Sequence, residues 1–434
     1  MTTTNLMAEP LVQSRLLAMQ RKKFPSLSRS GKGPITVCNL RREKVVVVGA
    51  GIAGLSTALS LHRLGVESLV LEQTESLRTG GASLTLFKNA WRALDVMGVG
   101  DYLRGQFLEI QGMVIKSIDG RELRSFTFQE ESPGQEIRAV ERRLLLETLA
   151  NELPADSIRF SSKLKRIKRS ETGDVSLELE DGTQLMSQIV IGCDGIRSPI
   201  ARWMGFSEPR YVGQCAFRGL AFYPNGQPFD PTVVYTYGSG LRAGLVPISP
   251  TKVYWFICFN SSSPGPKITD PSILKRGAEE LVRGWNSALP DVINRTPEET
   301  LSKTPLEDRW LWPVVSPGVW TRGVVLAGDA WHPMTPNLGQ GACCAIEDAI
   351  ALAKKLAGAV KSNERAGVED ALEEYGRERW RRVFPLTIRA NLVGSLLQWE
   401  NPVGCAIRDN IVVPKLVRLG PMLEHTNYEC ELLK

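Results

Sequence analysis

The sequence predicts an α/β fold: a Rossmann-like parallel sheet, interrupted by a second, largely antiparallel β-sheet domain and followed by a helical C-terminal region. Three observations lead there. The β-branched run Lys44-Val-Val-Val-Val48 opens directly into Gly49-Ala-Gly-Ile-Ala-Gly54, the pattern of a buried strand turning into a helix. Val325-Leu-Ala-Gly-Asp329 repeats a strand ending in glycine and acid far downstream. Between the two, alternating residues and closely spaced turn signals mark strands rather than helices.

Taken in order, residues 44–48 are too few for a helix and uninterrupted enough for a strand buried on both faces. Residues 55–64 carry aliphatic side chains at helical spacing and stop at Gly65, a helix end followed by a second strand at 67–72. That completes a β-α-β unit. Residues 113–118 and 123–128 flank Asp119-Gly120, a hairpin excursion near 110–130. A helix is expected over 142–153, then two strands at 175–180 and 183–191 around Asp181-Gly182. Several turn-punctuated strands follow over 211–259. Gly238-Ser-Gly240 follows one of them, but residues 241–247 have no helical pattern, so these glycines read as a sheet turn. Residues 347–382 are helical in pattern, and Pro385, Pro402, Pro414 and Pro421 then separate shorter helices. The expected organisation is a leader at 1–42, a nucleotide-binding domain at 43–210 completed at 316–375, a substrate domain at 211–315, and a helical C-terminal region at 376–434.

Charge assigns a distinct role to the leader. Residues 1–42 hold eight Lys/Arg, one acid and eight Ser/Thr; removing them from the chain's 53 basic and 47 acidic side chains leaves 45 against 46. The body is therefore not a basic nucleic-acid-binding surface, and the leader has the composition of an organelle transit peptide, with a chloroplast as the expected address and a cytoplasmic extension as the alternative. Hydrophobic content of 43% with 23% charged residues is that of a folded protein. No stretch is long and apolar enough for a transmembrane segment. Eight cysteines without C-x-x-C spacing and three histidines give neither a disulfide scaffold nor a metal site. The vicinal pair Cys343-Cys344 reads as packing in a helix.

In the first motif Gly49 permits a tight turn, Gly51 lets a pyrophosphate approach the backbone, and Gly54 lets the helix pack on the strand. The helix starting near Ile52 directs unpaired N–H groups and its positive dipole end at phosphates. Glu72 lies 18 residues after Gly54, where an acid binds ribose hydroxyls. This is a dinucleotide site.

Two further motifs, Gly192-Cys-Asp-Gly-Ile-Arg-Ser198 and the run from Gly328-Asp329 through Pro336 to Gly339-Gln-Gly341, precede Glu347-Asp348. As a set, the three motifs resemble the FAD-dependent aromatic-ring hydroxylase and epoxidase family, most closely its plant zeaxanthin-epoxidase-like monooxygenases. The resemblance covers residue 44 to the C-terminus. It implies FAD held by Gly49, Gly51, Ala53, Gly54 and Glu72, with Asp329 on the ribityl chain, and Pro336, Gly339, Gln340 and Gly341 along the isoalloxazine ring. It also implies an FAD-supporting Asp194 that influences NAD(P)H binding, a flavin-contacting Arg142, and a loop at Arg78-Thr-Gly-Gly-Ala82 near the ribityl chain. Many members have Asn where this chain has Cys343.

The activity implied is hydroxylation or epoxidation of a small apolar or aromatic substrate through a flavin C4a-hydroperoxide. NADPH or NADH would be a transient co-substrate with O2. The flavin supplies the electrophile, so no catalytic side chain is expected, and His332 reads as packing beside the cofactor. Tyr235 and Tyr237 share one strand face and Tyr254 and Phe256 another, either as core or as a substrate wall. The alternatives are a flavoprotein reductase or non-redox cyclase on the same scaffold, and a flavin-bound redox sensor.

Overall fold

The computed structural model describes residues 41–77, 83–170, 173–362 and 364–433. Residues 1–40 of the expected leader (1–42) and the Arg78–Ala82 loop lie outside them, while Arg41 and Arg42 already belong to the first strand.

The strand Arg41–Val48 ends in four valines no more than 5% exposed. Burial on both faces is what a parallel sheet covered by helices requires. It pairs in parallel with Leu69–Leu71 on one side and Gln184–Gly192 on the other. Ile158–Arg159 extends the sheet beyond Leu69–Leu71, and Val324–Leu326 extends it beyond Gln184–Gly192. Numbered along the chain, these five parallel strands stand in the order 3-2-1-4-5. That is the doubly wound arrangement, whose ligand crevice lies at the carboxyl ends where the order reverses. Helix Ile52–Arg63 follows the first strand and packs beside helix Gly341–Ser362.

The second sheet has seven strands, in spatial order Ser302–Asp308, Arg210–Phe222, Lys252–Asn260, Leu241–Ser249, Thr232–Tyr237, Gly112–Ser117 and Glu122–Thr127. The hairpin formed by the last two lies in sequence within the nucleotide-binding half, yet it is hydrogen-bonded into this sheet, Gly112–Ser117 running parallel to Thr232–Tyr237. One face of the sheet buries Phe217, Leu245, Trp255 and Ile257 under helices Pro271–Leu281 and Leu289–Asn294. Each such side chain contributes about 1.5–3 kcal/mol by leaving water. The alternate residues necessarily face the other way, toward the nucleotide-binding half.

Helix Arg365–Leu397 runs on through Pro385, where a break between shorter helices was expected, and spans the expected boundary at 375/376. Proline there removes one backbone hydrogen bond. Val383, Leu386 and Ala390 are buried around it, so tertiary packing on both sides of the proline holds the helix continuous.

Candidate functional site

All three sequence motifs meet at one end of the parallel sheet. Val48 pairs with Gly192, and Gly192 with Leu326, so Gly49, Cys193 and Ala327 leave three neighbouring strands at the same level. Backbone bonds hold them there: Gly49 N to Leu71 O at 2.7 Å, Cys193 N to Val48 O at 2.9 Å, and Ala327 N to Gly192 O at 3.0 Å. Gly49 has φ of +105°, and a Cβ added at Gly54 would stand 1.8 Å from the Gly49 carbonyl oxygen. These two glycines serve the turn and the helix–strand contact. Gly51 differs: a Cβ there would meet nothing within 4 Å. The open side of Gly51 and a helix N-terminus that no side chain caps together fit a phosphate group.

Glu72 braces this loop from behind. Its carboxylate accepts from Ala50 N at 2.8 Å, from Thr74 N at 3.0 Å and from Thr74 Oγ1 at 2.8 Å.

A cleft of about 410 Å³ opens from Gly51. Of the residues expected to meet a flavin, Gly51, Ala53, Arg142, Asp329, Pro336, Gly339 and Gly341 line it, as does Gly195 of the Asp-Gly motif. Gly49, Gly54, Glu72, Asp194 and Gln340 do not. Gln340 turns its side chain away from the cleft. Its side chain is fully buried and its Oε1 accepts from Asn89 at 2.9 Å, so only its backbone can face a ring. Asp194 turns back to accept from Ile200 N at 3.3 Å, and burial lifts its carboxyl to about 6, against the lowering effect of the Ser198 hydroxyl.

Asp329 is open to the cleft, yet it lies deep enough below the protein surface that desolvation raises its carboxyl above the usual range, opposed by His332 and Arg142. The space into which a Gly341 side chain would project lies 4.0 Å from Asp329 Oδ1 and 3.8 Å from Met334 Cγ. A ring and a polyol chain can both approach here because side chains leave the wall bare.

Behind this wall is a buried ionic network that sequence reading missed. His332 Nε2 and Asp348 Oδ2 lie 2.6 Å apart, and the same oxygen accepts from Gly328 N at 2.9 Å. Arg379 reaches Asp348 at 2.7 Å and Glu347 at 2.7 Å. His332, Glu347, Asp348 and Arg379 are all fully buried. Burial opposes ionisation of Asp348, but His332 and Arg379 hold its carboxyl well below the usual range. The available signal was Glu347-Asp348 itself, two acids inside an apolar helix that require cationic partners. His332 is thus tied into this network beside the loop. Cys343 and Cys344 are also fully buried, and burial pushes the Cys343 thiol up to about 12, which argues against an exchange-active pair.

The far side of the cleft is the free face of the second sheet. Tyr235, Tyr254 and Phe256 line it together with Arg218 and Arg242, while Tyr237 is turned out of it, beneath the Arg408 guanidinium. The C-terminal segment contributes Met422, Leu423 and His425. Burial, reinforced by Arg389 and Arg382, lowers the His425 imidazole to about 4, so it is neutral near pH 7. The tail's position is long-range information, and no local motif marks it.

Residues 42–389 match the FAD binding domain family. Monooxygenase 2 of Arabidopsis thaliana is 35% identical over 398 residues, 89% of this chain and 97% of that protein. The chloroplastic zeaxanthin epoxidase of an Oncidium hybrid cultivar is 31% identical over 419 residues, 90% of this chain and 60% of the epoxidase. Among solved structures, Klebsiella pneumoniae HpxO complexed with FAD and uric acid superposes with a TM-score of 0.77 at 23% identity, covering 88% of this chain and 96% of that one. A family match across most of the chain, on a cleft whose walls fit a dinucleotide, leads to one conclusion: this protein belongs to the FAD binding domain family and is an FAD-dependent monooxygenase.

Proposed function

We propose that the enzyme inserts one atom of O2 into a small organic substrate with an aromatic or conjugated system, by hydroxylation or epoxidation, at the expense of NADPH or NADH. The observation that carries this reading is the continuity of the cleft: one cavity joins Gly51, Asp329 and Gly339 to Tyr235, Tyr254 and Phe256. Cofactor and substrate thus share a chamber without a separating wall. Gly51 and the start of helix Ile52–Arg63 would hold the pyrophosphate, Asp329 the ribityl hydroxyls, Pro336, Gly339 and Gly341 the ring, and Arg142 the edge of the flavin. Bound FAD supplies the redox chemistry, passing two electrons from NAD(P)H to O2 so that one oxygen enters the substrate and the other leaves as water. The chain's own part is to place the substrate and to limit water, for which Phe87, Phe128, Met422 and Leu423 give the cleft apolar surface. Among the described residues one glycine-rich turn joins a strand to a helix, and NAD(P)H would bind transiently beside Gly195.

The test is a screen of aromatic and conjugated compounds for faster NAD(P)H oxidation, followed by product analysis under ¹⁸O2. One labelled oxygen per product molecule is expected. Acceleration that yields only hydrogen peroxide, or product oxygen drawn from water, would overturn monooxygenation in favour of a reductase or cyclase.

Asp329→Ala is expected to weaken FAD binding roughly 10- to 100-fold, the scale of about 1.5–3 kcal/mol for a hydrogen bond to a charged group. Gly341→Val should instead retain part of the flavin with a shifted visible spectrum, because its side chain projects into the ring's space. Fluorescence titration of the stripped proteins with FAD measures both. Parent-like affinity and spectrum in the two variants would remove this loop from the flavin site. A plastid address is part of the same proposal, supported by the leader's composition and by a relative named as chloroplastic.

A further inference from the structure

A groove of about 500 Å³ lies outside the cleft, between helix Pro199–Trp203, residues 317–321 and the end of the strand Leu164–Arg169. Two indole rings and one guanidinium line it, those of Trp203, Trp320 and Arg169. Trp203 is 36% exposed, and the Arg169 guanidinium stands 6.0 Å from the centre of its ring. Arg169 donates to the Thr321 hydroxyl at 3.1 Å, and its Nε is buried without a partner.

Charge is distributed unevenly around this groove. On the same strand Lys165 is paired with Glu178 at 2.6 Å, and on the helix Arg202 is paired with Glu208 at 2.7 Å. Among the described residues Arg169 and Arg322 have no carboxylate within ion-pair distance. Desolvation and then the charge of Arg322 lower the Arg169 guanidinium below its ordinary range, and Glu369 offsets them only in part.

The backbone gives a second sign. Arg322 and Gly323 are the two residues between the paired Thr321 and Val324, with φ of +39° and +83°. A turn with both residues in the left-handed region favours Asn, Asp or Gly at the first, so the stability of the turn does not account for an arginine there. Two like charges side by side, one of them on a residue its backbone disfavours, call for an anion that the protein itself does not provide.

Resting on the reading of this enzyme as one that takes electrons from NAD(P)H, we propose that the groove holds the adenosine 2′-phosphate end of NADPH. The base lies against Trp203 and Trp320, and Arg169 and Arg322 hold the phosphate. Indole faces accept a flat heterocycle, and a guanidinium fork matches phosphate oxygens. The groove's place in the fold supports this ligand. Helix Pro199–Trp203, about 7.5 Å long at 1.5 Å per residue, leads from the groove back to Gly195 on the cleft wall. A dinucleotide anchored at Trp203 therefore reaches the cleft with its nicotinamide end. NADH lacks the 2′-phosphate, so the groove selects NADPH.

The experiment uses the FAD-loaded full chain with 2′,5′-ADP and 5′-AMP, which share the base and differ by the 2′-phosphate. Calorimetry should show 2′,5′-ADP binding about tenfold or more tightly, the scale of added charge-assisted hydrogen bonds, and 2′,5′-ADP should compete with NADPH in flavin reduction. Arg169→Gln and Arg322→Asn should each remove most of that preference and raise KM for NADPH about tenfold more than KM for NADH, as loss of ground-state binding does. Arg322→Asn is the stricter variant because asparagine suits the turn: thermal stability should hold or rise while 2′,5′-ADP affinity falls. Trp203→Ala should weaken both nucleotides alike, and Arg202→Gln, on the same helix but already paired, should leave the preference in place. If 2′,5′-ADP binds no more tightly than 5′-AMP, if both arginine variants keep the preference, or if bound 2′,5′-ADP does not compete with NADPH, the proposal fails. Flavin reduction by NADPH and NADH in the parent is read separately: its absence overturns the NAD(P)H-dependent reading, whereas calorimetry decides the groove.

Discussion

Arg379→Ala is expected to destabilise the protein by about 3–5 kcal/mol, the cost of removing the one cation that two buried carboxylates share. Arg379 is fully buried and bridges Glu347 and Asp348, while its plane lies 5.1 Å from the centre of the Tyr428 ring. Arg382 adds a second bond to Glu347 and also holds the His425 carbonyl at 2.6 Å. One side chain therefore ties helix Arg365–Leu397 to helix Gly341–Ser362, and through Asp348 to His332 and the Gly328 amide. Losing it should both lower stability and loosen the loop that carries Asp329. Arg379→Lys should recover only part of the loss, since a single ammonium cannot present the planar fork that reaches both acids. Equilibrium denaturation of the stripped protein decides the matter. A loss below about 1 kcal/mol, the range of an exposed ion pair, would show that the network contributes little.

The same network shows where sequence reading stops. The β-α-β unit, the strand carrying Gly192 and the Gly328-Asp329 turn were legible because each is local: a buried β-branched run, a helical period, and glycines at positions where a side chain would collide with backbone. Gly54 is such a position. What was not legible depends on pairing across long separations. The hairpin Gly112–Thr127 joins the second sheet by lying parallel to Thr232–Tyr237, and nothing within the hairpin's own residues encodes that choice. Pro385 is an equally clear case, since a local rule ended a helix that the burial of Val383, Leu386 and Ala390 carries onward. In the site, backbone motifs were easier to find than the side chains they position. Gln340 sits inside a motif yet faces the core, whereas Arg218, Arg242 and His425 sit in no motif yet face the cleft. Strand alternation did place Tyr235 with Tyr237 on one face, but the two rings diverge: Tyr235 enters the cleft and Tyr237 packs under Arg408. Face membership follows from period two, while the direction of a large ring is settled by its neighbours.

The largest contrast expected anywhere in the site lies between two glycines three residues apart. Gly51→Val should leave the stability of the FAD-free protein within about 0.5 kcal/mol of the parent, as for a substitution that meets no neighbour. Gly51 has φ of −81° and ψ of −173°, an extended conformation that valine adopts readily, and a Cβ there enters open space. That same space is where a pyrophosphate must come within hydrogen-bonding distance of the helix N-terminus. FAD affinity should therefore fall roughly a hundredfold or more, as if two hydrogen bonds to a charged group of about 1.5 kcal/mol each were lost. Gly54→Ala, although chemically smaller, should act the other way round. Its Cβ would stand 1.8 Å from the Gly49 oxygen and 3.3 Å from the Cys193 Cβ, so helix Ile52–Arg63 must move off the sheet, a strain of at least about 1–3 kcal/mol, before any ligand is considered. Denaturation of the stripped proteins and titration with FAD separate the two effects. If Gly51→Val costs the FAD-free protein as much as Gly54→Ala does, or binds FAD like the parent, then the open face of Gly51 is not the phosphate site, and the cofactor lies elsewhere in the cleft.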